Sequence, residues 1–105
     1  MKLDAIQLER VANLFRAFAE STRLAIVQEL KGGELSVSEI VDALTTSQAN
    51  VSKQLKLLYD AGIVSRRKQG TQVLYQIADP MVFELCSLVC DKLNRDAVKP
   101  AELKF

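Results

Sequence analysis

Histidine is absent from this 105-residue sequence, and that one absence excludes Ser-His-Asp and Cys-His nucleophilic triads as well as mixed Cys/His zinc sites. Cysteine is limited to two residues, Cys86 and Cys90. They are too few for a disulfide framework and are expected to rest as thiols in a reducing compartment. Proline occurs twice and glycine four times, with no linker to cut at and no internal repeat. No apolar run approaches the ~18 residues that span a bilayer, so no membrane partner is expected. The stretch Met1 to Arg10 lacks the apolar core and cleavage site of a secretory signal, which points to a cytoplasmic location.

What is present is ordinary globular composition: 49% hydrophobic and 26% charged residues, with a mean hydropathy of +0.06. A chain of this length buries roughly two thirds of its unfolded surface, enough for one core and not two. A single domain, 1–105, is expected. The net charge is only +1, but it is unevenly spread. Residues 1–46 hold 5 Lys/Arg and 7 Asp/Glu, residues 47–72 hold 5 and 1, and residues 73–105 hold 4 and 5. A basic stripe within a neutral whole suits phosphate contact, although a solvated basic face has the same composition.

Leu8, Val11, Phe15 and Phe18 recur at helical spacing and predict an amphipathic helix over 1–18. Glu20-Ser21-Thr22 offers a cap for a second, short helix carrying Leu24, Val27 and Leu30, which Gly32-Gly33 ends. Ser36-Val-Ser-Glu39 is a capping box opening a third helix through Val37, Ile40, Val41 and Leu44. Thr45-Thr46-Ser47 then supplies a turn and a fresh cap. The fourth helix, Ser47 to Asp60, buries Val51, Leu55 and Leu58 and turns Gln48, Asn50, Lys53, Gln54 and Lys56 outward.

Beyond Gly62 the period changes to two, giving strands 64–69 and 72–77 around Gly70-Thr71, a pair suited to a type II′ turn. Asp79-Pro80 opens a last helix, 80–97. This order describes a mainly α winged helix-turn-helix: five helices plus a two-stranded β-hairpin wing. In that arrangement Gln48, Asn50 and Gln54 are placed to meet base edges, and Ser47, Ser52, Lys53 and Lys56 to meet phosphates. Arg66, Arg67, Lys68 and Gln69 form a cationic hairpin tip for a groove or backbone, unless they serve only to guard a sheet edge. Double-stranded DNA is the expected partner.

The segments Glu20 to Ile26, Leu35 to Ile40 and Ser47 to Val64 resemble the ArsR/SmtB family of bacterial repressors, most specifically in the last stretch. Gln54 departs from the histidine many members carry there. The resemblance implies a homodimer joined through the first and last helices, a two-fold operator, and release by a chemical signal. Independently, helix 80–97 carries an apolar stripe of Met81, Val82, Leu85, Cys86, Leu88, Val89 and Leu93, wider than one-sided packing needs.

The family's known signals leave few options. Its arsenite and lead sensors often use Cys-x-Cys in the third helix, where this chain has Ser36-Val37-Ser38, and hydroxyls are poor ligands for soft ions. Its zinc, cobalt and nickel sensors often use Asp, His, His and Glu on the last helix. Here Asp79, Met81, Lys92 and Arg95 stand in those places. What remains is Cys86 and Cys90, four residues apart on one helix. They are candidates for arsenite, antimonite or another thiophilic ion, or for oxidation by reactive sulfur or peroxide. Plain packing in the core and a constitutive regulator without ligand are the competing readings. A protein-interaction winged helix stays open too. Enzyme activity is not expected: Cys-x-x-x-Cys is one residue longer than the thioredoxin-like motif, and no histidine or preceding strand activates it.

Overall fold

The structure is a computed structural model that describes residues 1–97 and 102–105; Pro100 lies outside the described residues. Among the described residues there are five α-helices: α1 (Ala5–Phe18), α2 (Ser21–Glu29), α3 (Val37–Ala43), α4 (Gln48–Asp60) and α5 (Met81–Asp96). Each starts where a side chain can satisfy the first free N–H groups. Asp4 and Gln7 form a capping box on α1, so this helix begins at residue 5 and not at the chain start. The Glu20 carboxylate accepts from the N–H groups of Thr22 and Arg23 at 3.1 and 3.0 Å. Ser36 and Glu39 close the expected capping box on α3, and Ser47 caps α4. At α5 the Asp79 carboxylate accepts from Met81 N–H at 2.9 Å across Pro80.

The strands are β1 (Leu35–Ser36), β2 (Val64–Gln69) and β3 (Gln72–Ile77), in the order β1-β3-β2 and antiparallel throughout. The expected two-stranded wing is therefore backed by a third strand, since Leu35 pairs with Tyr75 and Ser36 with Leu74. At the β2–β3 turn Gly70 has φ 62, while no non-glycine among the described residues has positive φ. Positive φ at the first turn position and not at Thr71 is the pattern of a type II′ turn.

The core gathers α2, α3, α4 and the base of the wing. Ile26, Val27, Ile40, Val51, Leu55 and Leu58 are fully buried, with Ile63 and Val82 beside them. The two end helices are different: Ile6, Leu8, Phe15, Leu88, Val89 and Leu93 remain exposed. A compact monomer of this length has a radius of gyration of roughly 13 Å, whereas this chain measures 15.3 Å. The excess and the uncovered apolar side chains indicate a surface that one copy alone leaves open.

Candidate nucleic-acid interface

Helix α4 is held on the domain by Val51, Leu55 and Leu58, and this fixes what it turns away. Ser47, Gln48, Ser52, Lys53 and Lys56 are all exposed. The Ser47 hydroxyl accepts from Asn50 N–H at 3.1 Å, and the remaining free N–H groups make this helix end a favourable place for a phosphate. Lys56 is paired with Asp60 at 3.0 Å, both side chains open to solvent, a contact phosphate can displace.

Gln54 must be reassigned. It is 7% exposed, and it cannot meet a base edge as expected from sequence. Its Oε1 accepts from Arg23 Nη1 at 2.7 Å, and its Nε2 donates to Asn50 Oδ1 at 3.1 Å. The wheel carries the signal: residue 54 lies three after Val51 and four before Leu58, on the buried stripe. Asn50 is half-buried beside it, its Nδ2 donating to Thr46 Oγ1 at 2.9 Å. Arg23, which sequence reasoning passed over, also donates to the backbone oxygens of Ala17 and Arg16 at 2.7 and 3.0 Å.

The wing cations do not form one cluster at the tip. Arg66 lies back from it, opposite Tyr75 in the register, with its guanidinium over the Tyr59 ring at the end of α4. Tyr75, with Tyr59 second, favours the charged guanidinium. Arg67, next along the strand and so on the other face, is held by Glu34 through contacts of 2.9 and 2.6 Å and touches Gln69 at 3.0 Å. That pair pulls the Glu34 carboxyl below its ordinary range. Lys68 and Gln69 remain exposed near the turn. Tyr59, Glu34 and Arg23 are thus the residues the sequence did not mark, because each is defined by a partner distant in the chain.

Cys86 is buried and Cys90 half-buried. Both line an apolar cleft of about 340 Å³ between α1 and α5, with Phe15, Phe18, Leu85 and Phe105 among its walls. Burial, and secondarily Cys90, raises the Cys86 thiol above its ordinary pKa. Among the described residues no group of three or more His, Cys, Asp or Glu side chains is placed to hold a metal ion.

A capped helix that presents polar and cationic side chains, set beside a basic hairpin, defines a winged helix-turn-helix regulator. The family model described as bacterial regulatory protein, arsR family, matches residues 20–66. An uncharacterised HTH-type transcriptional regulator from Methanocaldococcus jannaschii is 42% identical over 82 residues, which cover 77% of this chain and 92% of the archaeal one. A probable mercury resistance operon repressor from Streptomyces lividans is 39% identical over 80 residues, covering 76% of this chain and 64% of that protein. The homodimeric winged helix-turn-helix DNA-binding domain of a Mycobacterium bovis protein superposes with a TM-score of 0.77 at 30% identity, over 94% of each chain. The chain belongs to the ArsR family of winged-helix transcriptional repressors. Among the described residues no helix is long and apolar enough to cross a membrane.

Proposed function

We propose that the protein acts in the cytoplasm as a homodimer on a two-fold DNA operator, and that a thiol-directed signal at Cys86 and Cys90 releases it. The observation that carries the first part is the outward face of α4, where Ser47, Gln48, Ser52, Lys53 and Lys56 are all exposed. Arg66 lies beside its far end, and Lys68 is exposed nearer the wing turn. The exposed apolar side chains of α1 and α5 supply the dimer contact. Two recognition helices then meet DNA about one helical turn, ~34–36 Å, apart.

The second part rests on the placement of the two thiols. They wall a cleft between those same helices, so a ligand bridging the sulfurs alters the surface on which dimer geometry depends. Arsenite, antimonite or another thiophilic ion would displace the thiol protons on binding, and reactive sulfur or peroxide would modify them. The relative from Streptomyces lividans, described as a mercury resistance operon repressor, is consistent with a soft-ion signal. One observation favours a second reading: Cys86 is buried with a raised pKa, which suits a packing role in a repressor that takes no ligand.

The experiment is fluorescence anisotropy on DNA upstream of the protein's own gene, titrated with arsenite, antimonite, polysulfide and peroxide under controlled reductant. Release that vanishes in the Cys86→Ser/Cys90→Ser double variant supports thiol sensing. Tight binding indifferent to all four assigns the cysteines to the core.

A further inference from the structure

A polar side chain on the buried stripe of a helix destabilises unless each of its groups is paired. At Gln54 the pairing extends into a chain of contacts that crosses three helices. Arg23 on α2 donates to the Arg16 and Ala17 oxygens at the end of α1 and to Gln54 on α4. Gln54 donates to Asn50, and Asn50 donates to Thr46 in the turn before α4. Among the described residues no buried side-chain polar atom lacks a partner.

The chemistry gives this chain a direction. A guanidinium has donors only, so Gln54 must offer it the amide oxygen and turn its NH₂ toward Asn50. Asn50 must then answer with its own oxygen, and its NH₂ is directed to Thr46. Each amide is thereby locked against the flip that would exchange its donor and acceptor. Asn50 is half-buried and lies one turn into the recognition helix, where an asparagine reads adenine by presenting oxygen and NH₂ side by side. A flipped amide presents the reverse order to the same base.

We propose that Arg23 and Gln54 are positioning residues for base readout: they do not touch DNA, and they fix which edge of the Asn50 amide serves as donor and which as acceptor. The same contacts fasten α4 to the end of α1, so the orientation of Asn50 is set relative to the helix assigned above to dimer contact. This rests on the DNA-binding reading.

The test uses the full chain and a duplex selected in vitro by the wild-type protein, measured against a random duplex over a salt series. Gln54→Glu keeps the size of the side chain and the acceptor for Arg23 but cannot donate to Asn50, which must then flip. The expected result is about a tenfold loss of preference for the selected duplex, read as the ratio of the two affinities so that the uniform effect of the added carboxylate cancels, with the sedimentation coefficient unchanged. Gln54→Met, which removes both contacts, should lose preference similarly, and adding Arg23→Met to it should cause no further loss. Preference retained in Gln54→Glu, or equal weakening on both duplexes, overturns the proposal. Should the position-54 variants fail to fold, Thr46→Val breaks only the outermost link and is judged by the same ratio, with a smaller loss expected. A wild-type protein that selects no duplex removes the DNA-binding reading and this proposal with it.

Discussion

The guanidinium carbon of Arg66 sits 3.9 Å from the centroid of the Tyr59 ring. Tyr59 lies in the last turn of α4 and Arg66 near the base of β2, so the contact fastens the helix to the wing, two elements that are joined only by a short turn. On the proposed interface, an arginine held in this way enters the DNA complex with little freedom left to lose.

Replacing Tyr59 with Ala should therefore weaken operator binding by about threefold, the scale of one exposed cation–π contact. Tyr59→Phe should stay near wild type, since the ring remains. Anisotropy titrations at one salt concentration check both; equal losses in the two variants would assign the effect to the hydroxyl and not the ring.

Glu34 engages the Arg67 guanidinium through two hydrogen bonds, in competition with any phosphate. Glu34→Gln should free the guanidinium, raise affinity for random DNA and steepen its salt dependence. Because the folded-state carboxyl lies below its ordinary pKa, its contribution to stability is full above the unfolded value and is lost as pH falls through the lowered one. Urea midpoints of wild type and variant should therefore converge in acid, and parallel curves across that range would contradict the linkage.

Much of this architecture is legible in the sequence because caps and periods are local. Ser36, Ser47 and Asp79 each sit at a helix start, and the change of period after Gly62 marks the wing. Strand β1 is different: two residues long, it has no period to detect, and it exists because β3 offers a free edge to Leu35 and Ser36. Gln54 shows the other limit. Its polar type suggests a solvent position, while its place beside Val51, Leu55 and Leu58 puts it inside, and only the location of Arg23 in three dimensions resolves the conflict.

The two thiols should differ in reactivity. Cys86 is buried and its pKa is raised, while Cys90 is half-buried. Iodoacetamide at neutral pH should alkylate Cys90 first, with Cys86 following only after local opening. Peptide mass spectrometry against time reads the order, and simultaneous labelling would mean that the cleft opens freely. Since folding raises the Cys86 pKa, its contribution to stability is full below the unfolded thiol value and declines as pH rises toward the folded one.

Truncating Leu55, fully buried on α4, should cost about 2–5 kcal/mol as Leu55→Ala. Operator affinity per folded molecule should change far less, so a urea melt and an active-fraction titration separate the two effects.

The uncovered apolar face on α1 and α5 also bears on gene dosage. With the proposed dimer formed, folding free energy includes a term in concentration, so the melting temperature rises with protein concentration. A cell holding few copies would keep a larger share of them open to proteases, and the repressor's lifetime would fall as its abundance falls. Degradation then grows less than in proportion to the amount of protein present, which sharpens the approach to either extreme of expression.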